Sequence, residues 1–164
     1  MINTNSSFGI RATLSPEAQL IAEKFQRYQD SFQKGEQVYR NILAVYAVNS
    51  YLQNIGFKTD LEASNSWDFV SQILMDVADL DIKDYGKIEC RPVLPDDKFI
   101  QIPAEVWFES TYCIAVEMEE IATEAKLLGF VEKVTTEQIS RSQLRPLEEL
   151  PALLQQNINI YLNH

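Results

Sequence analysis

The amino-acid sequence predicts an α+β fold: N-terminal helices packed on an antiparallel β-meander of about four to five strands, with a C-terminal helix. Three observations predict it. Apolar residues recur at helical spacing through the first third of the chain. They recur with a period of two through much of the middle, and return to three- and four-residue spacing in the tail SRSQLRPLEELPALLQQNINIYLNH. No Pro/Gly/Ser-rich linker divides the 164 residues, so 1–164 reads as one domain, with 1–14 as a flexible lead-in and 58–124 as an acidic sheet region. A chain of this length buries about 70% of the surface its unfolded form exposes, enough for one core.

The elements follow in order. Ser15-Pro16-Glu17 starts a helix: a serine able to cap, a proline where no N–H is needed, and an acid favoured by the dipole. Ala18, Ile21, Ala22, Phe25, Tyr28 and Phe32 then form an apolar stripe, and the helix is expected to end near Gly35. A second helix is expected from about Glu36 to Gln53, with Gly56 ending it. Its Val38, Tyr39, Ile42, Leu43, Val45, Tyr46, Val48, Tyr51 and Leu52 fill more than one face, which makes it the most buried helix. A short third helix is expected around Trp67 to Met75.

Ala78, Leu80 and Ile82 alternate with Asp79 and Asp81, a strand with one wet face. KDYG (83–86) turns, KIECRPVL (87–94) returns as the second arm of a hairpin, and PDDK (95–98) turns again into FIQI (99–102). PAEVW supplies a tight turn or single helical turn. Tyr112 to Met118 is a further strand, with Tyr112, Ile114, Val116 and Met118 on one face and Cys113, Ala115 and Glu117 on the other. LLGFVEKV (127–134) is the last strand, preceded by a helical or turn segment through EEIATEA. In the tail, Leu147, Leu150, Leu154, Ile158 and Tyr161 define the C-terminal helix, with Pro151 setting its start or breaking it.

The net charge of −10 belongs to the middle of the chain. Residues 1–57 carry five Lys/Arg and four Asp/Glu, residues 58–124 carry five and sixteen, and residues 125–164 carry four of each. Such a field repels phosphate backbones, so direct nucleic-acid binding is not expected. It serves solubility, or it receives a basic partner. MINTNSSFGI has neither the basic n-region nor the apolar run of a signal peptide, and no stretch approaches the roughly 20 apolar residues that span a bilayer. The chain is therefore expected in the cytoplasm and off the membrane, with Cys90 and Cys113 as reduced thiols.

Most familiar chemistry is excluded. The single histidine is His164, which removes Ser-His-Asp and Cys-His machinery and histidine-rich metal sites. Five glycines at 9, 35, 56, 86 and 129 form neither a phosphate-binding loop nor a dinucleotide turn. A calcium loop counted from Asp79 fails, because its sixth position is Asp84 and its twelfth is Cys90. Clustered acids remain: Asp60 with Glu62, and Glu117, Glu119, Glu120 and Glu124, all read as solvated. Tyr28, Tyr39, Tyr46 and Tyr51 lie on helical apolar stripes and read as core, and Trp67 and Trp107 as lids at element edges. Cys90 shares a strand face with Ile88 and Leu94 and reads as a small buried hydrophobe, while Lys87, Glu89 and Arg91 face the other way and Arg91 pairs with a neighbouring acid.

The stretches LEASNSW (61–67), VADLDI (77–82), GKIECRPVLP (86–95), IPAEVW (102–107), AVEME (115–119), LLGFV (127–131) and LRPLEELPALL (144–154) resemble, in consistent order, a cyanobacterial family known as domain of unknown function 1822. The resemblance covers about residues 35–155 and implies no activity. Members continue beyond the LRPLEEL region, so this chain is similar to a short form. Family genes that stand beside regulatory genes fit an acidic module meeting a basic partner.

The expectation is thus a soluble, non-enzymatic regulatory or protein-interaction module, with Asp79, Asp81, Asp84, Asp96, Asp97 and Trp107 as its interaction surface and a basic protein as partner. No catalytic, cofactor-binding or metal-binding residue is assigned. The alternatives are a carboxylate-dependent, magnesium-using hydrolase and a structural subunit of a larger assembly. A concave, acid-lined pocket rather than a convex acidic face is the observation that bears most on the choice.

Overall fold

The computed structural model of the protein describes residues 9–119 and 123–163, apart from the Tyr161 side chain. Ser15 caps the first helix as its sequence dictates: the hydroxyl accepts from the Ala18 N–H at 3.1 Å and Pro16 occupies the first turn of α1 (Pro16–Arg27). The helix ends earlier than expected. Ser31 accepts from the Lys34 N–H and restarts the chain as α2 (Phe32–Asn54), so Gly35 lies inside the second helix. A Cβ there would stand 3.2 Å from the Gln26 carbonyl oxygen, so Gly35 marks the close approach of two helices. Because the chain turns at this point, Tyr28 and Phe32 leave the expected stripe and are 56% and 77% exposed, which corrects the reading of Tyr28 as core. α2 is buried on more than one face and ends at Gly56, whose φ of +97° suits glycine.

Six strands form one mixed sheet in the order β1-β7-β6-β4-β3-β2. They are β1 (Ile10–Thr13), β2 (Thr59–Asp60), β3 (Asp79–Ile82), β4 (Gly86–Val93), β6 (Ser110–Met118) and β7 (Glu124–Glu132). A separate pair joins β5 (Phe99–Gln101) to β8 (Gln138–Ser140). The expected meander is corrected on two counts. β4 and β6 run parallel, because residues 94–109 form a crossover long enough to return the chain to the end where β4 began. FIQI therefore leaves the main sheet and pairs with β8. Residues 10–13, expected as part of a flexible lead-in, are edge strand β1, hydrogen-bonded to β7; residues 1–8, 120–122 of the expected EEIATEA segment, and 164 lie outside the described residues.

Both faces of the sheet are covered. On one, Leu80, Ile82, Ile88, Cys90, Tyr112, Ile114, Val116 and Leu127 meet α1, α2 and α4 (Leu150–Leu162), the last carrying Pro151 in its first turn and burying Leu150, Leu154 and Ile158. On the other, Val93, Cys113, Ala115 and Val131 meet Ile100 and Ile139 of the small sheet and Val106 and Trp107 of the 3-10 turn Ala104–Phe108. The expected alternation of β6 is present, and Cys90 and Cys113 face opposite sides as free thiols. The third expected helix is split: Asp68 closes a 3-10 turn (Asn65–Trp67) and caps α3 (Phe69–Leu74) through the Ser71 N–H. Leu94 lies past the end of β4 and is exposed, so it does not share the inward face of Cys90.

Gly129 explains the glycine of LLGFV. It adopts φ +153° beside a register shift in β6–β7, and a Cβ would come within 2.5 Å of the Arg145 carbonyl oxygen, where Phe130 and Arg145 exchange backbone hydrogen bonds of 3.1 and 2.8 Å. Gly129→Val is expected to cost roughly 2–4 kcal/mol in chemical denaturation. An unchanged midpoint would refute the close approach.

Candidate functional site

The six residues expected as one surface do not form one. Asp79 is only 2% exposed, and Trp107 is buried in the second core with its indole N–H unpartnered. Asp84 sits in the hairpin turn with φ +66°, a left-handed position that a short polar side chain tolerates. Asp96 and Asp97 are exposed past the other end of β4, about 25 Å away along an eight-residue strand, and Asp97 accepts the Leu94 N–H as a turn residue. Asp81 is half-buried between Asp60 and Lys87 on the neighbouring strands, and burial together with Asp60 and Asp79 raises its pKa against the pull of Lys87.

The centre of the acidic region lies on the β4 face opposite Cys90, where Arg91 is inside the protein. Its guanidinium makes a fork to Asp76 (Nη1 to Oδ1 3.0 Å, Nη2 to Oδ2 2.7 Å), donates to Glu89 Oε1 at 3.2 Å, and reaches the Gln101 carbonyl through Nε at 3.1 Å. Asn41 of α2 donates to Asp76 Oδ1 at 2.9 Å. Burial alone would raise the Asp76 pKa, but the hydrogen bonds and charge of Arg91 hold it below the usual value. This pairing agrees with the sequence reading of Arg91. Asp79, expected on a wet face, is instead enclosed: its oxygens accept from the Asn65 and Ser66 N–H groups at 3.1 and 2.8 Å, and Lys87 Nζ lies 3.4 Å away.

Glu89 differs from its neighbours. It is 1% exposed; Oε1 accepts from Arg91 and from the Ala78 N–H at 3.0 Å, while Oε2 has no partner. Burial pushes its pKa up to about 7, against the pull of Arg91. Burial likewise raises the Cys90 thiol well above its usual value, so it is held as an inert thiol.

Glu89 lines a cleft of about 390 Å³ with Asn65, Met75, Val77, Asp79, Ser110 and the rim residues Glu105, Val106, Phe108 and Glu109. Asp79 and Glu89 are direct cross-strand partners in β3–β4, so both carboxylates rise from the same face. Lys87, on the same face, pairs with Asp79 and with Glu109 at 3.2 Å. Among the described residues no group of three or more His, Cys, Asp or Glu is arranged to hold a metal ion, and no helix is long and apolar enough to cross a membrane. Sequence reasoning missed Glu89. Its only local signal is a charged pair, Glu89 and Arg91, alternating with the buried Ile88 and Cys90.

Fold and site together define an α+β domain on a six-stranded mixed sheet with an acid-lined cleft on its outer face. The chain belongs to the family described as "Protein of unknown function (DUF1822)", whose model matches residues 13–160. Neither a curated protein nor a solved structure matches the chain significantly.

The raised Glu89 pKa ties stability to pH. Glu89 favours the folded state most below its ordinary 4.5 and loses that contribution as pH rises through about 7, roughly 3 kcal/mol across the window. In Glu89→Gln this decline is expected to vanish, so denaturation midpoints of variant and wild type diverge progressively from pH 5 to 8. Parallel curves would contradict the assignment.

Proposed function

We propose that this protein is a non-enzymatic interaction module of a regulatory kind that receives a basic partner protein on the carboxylate-bearing outer face of β2–β3–β4. The observation that carries the reading is the concave cleft in which Asp79, Glu89, Glu105 and Glu109 converge, with Asp60 and Asp81 on the adjoining strands and Lys87 as the cation between them. Concavity and an excess of negative charge concentrate a field and speed the encounter with an oppositely charged partner.

Exposed apolar residues, one at the rim and others on α3, add to the reading. Phe108 is 86% exposed beside the cleft, and Phe69, Val70, Ile73 and Leu74 of α3 are exposed together with Tyr28, whose ring lies 6.1 Å from that of Phe69. Such patches on a small protein mark contact surfaces. The reading includes the cytoplasm as the compartment, supported by two buried free cysteines on opposite faces of the sheet.

The hydrolase alternative draws on the Asp79–Glu89 pair, one member of which titrates near neutrality. The interaction reading is favoured because both Asp79 oxygens are already held by backbone N–H groups and Lys87, a structural duty that competes with attack on a substrate.

Retention on an immobilised oligo-arginine peptide across a salt gradient tests the proposal. The pair Glu105→Lys and Glu109→Lys is expected to weaken retention about tenfold or more, and the pair Asp96→Lys and Asp97→Lys, an equal change of charge, far less. Equal losses from the two pairs would mean that net charge alone governs binding, and the proposal would fall.

A further inference from the structure

The free oxygen of Glu89 is the feature the fold leaves unexplained. A buried carboxylate oxygen without a hydrogen bond is costly, and proteins seldom keep one without reason. Oε1 is fully used, by Arg91 from the same strand and by the Ala78 N–H from the start of the hairpin. Oε2 has no donor, although Glu89 lines an open cleft. The charged and titratable groups around it are Arg91 on β4, Asp79 on β3, Asp76 in the segment before β3, Cys113 on β6, Lys87 beyond Asp79, and Glu105 and Glu109 from the 3-10 turn. Both nearby cations are engaged, Arg91 by Asp76 and Lys87 by Asp79 and Glu109. Met75, Val77, Val106 and Phe108 supply the apolar part of the wall.

We infer that the cleft is a binding site for one organic ammonium or guanidinium group, which donates to Glu89 Oε2 while its aliphatic stem lies along Val77, Val106 and Phe108. The acceptor set matches the chemistry: a carboxylate with a vacant lone pair in the wall, further acids at the rim, and apolar side chains between them that a hydrated metal ion would not use. Phe108, exposed at the mouth, offers its ring to the cation on entry. The inference rests on the interaction reading for the source of the cation, a lysine or arginine side chain of the partner. A free organic amine carries the same headgroup, and the two sources separate in the experiment.

The test is an amide NMR titration of the full chain at pH 8 with n-butylammonium chloride and, separately, with a short blocked peptide containing one lysine, using sodium chloride at matched ionic strength as control. Both probes are expected to shift the amides of Val77, Glu89, Val106 and Ser110, and sodium chloride is not. Glu89→Gln is expected to weaken both probes about tenfold or more, as loss of a charge-assisted hydrogen bond requires. Wild-type protein gives the same readout without mutation: with the Glu89 carboxyl pushed up to about 7 by burial, lowering the pH from 8 to 5 is expected to weaken both probes by a similar factor. Phe108→Ala, at a solvent-facing position, is expected to weaken binding a few-fold with the fold unchanged. Shifts spread evenly over Asp84, Asp96 and Asp97, binding in Glu89→Gln equal to wild type, or no binding of either probe would overturn the site. Binding of butylammonium but not of the peptide, lost in Glu89→Gln, would uphold the site and remove the partner reading instead.

Discussion

The ion pair between Arg91 and Asp76 is the interaction on which the acidic half of this protein depends. A guanidinium cannot shed its charge at any physiological pH, so once β4 carries Arg91 into the interior its neighbours must satisfy it. They do so from separate parts of the chain: Asp76 ahead of β3, Glu89 on the same strand, and the Gln101 carbonyl of β5. Asn41 extends the network to α2. Helix layer, main sheet and small sheet are thereby joined by polar contacts where β4 passes between them. Removing the guanidinium would leave buried carboxylates uncompensated, a loss of about 3–5 kcal/mol in comparable settings.

The same pair gives Glu89 its unusual state. One oxygen is held by Arg91 and a backbone N–H, which fixes the side chain, and the other is buried without a donor in a residue that lines the cleft. Desolvation wins over the attraction of Arg91 because Asp76 already takes most of that cation's donors. Part of the negative charge in residues 58–124 is therefore internal and structural. Of the exposed acids in that segment, Glu105 and Glu109 stand at the cleft rim and Asp60 on the adjoining strand, while Asp84 lies at one end of β4 and Asp96 and Asp97 past the other.

Much of the local structure was legible in the sequence, since it is governed by local chemistry. Ser15-Pro16 starts α1, Gly56 ends α2, and the alternation of β6 sorts Ile114 from Cys113 onto opposite faces. What was not legible depends on distant partners. A parallel β4–β6 pair has the same apolar pattern as an antiparallel one, and only the crossover through residues 94–109 decides it. β2 and β8 are two and three residues long, too short to show a period. Gly35 and Gly129 look alike in a string of letters, yet one admits a neighbouring helix and the other a neighbouring backbone. For the candidate site, the outward direction of Glu89 and Arg91 relative to Cys90 followed from strand alternation. That this outer face is itself enclosed follows from the 3-10 turn and β5 folding back over it, which no local signal announces.

Direct measurement of the Glu89 carboxyl titration, by side-chain carbon NMR on the intact protein, tests the central claim most closely. The account predicts a midpoint near 7, set by burial and only partly offset by Arg91. A midpoint at the ordinary glutamate value would mean that Oε2 is already satisfied, and the cleft would lose the vacant acceptor on which the ammonium or guanidinium site depends.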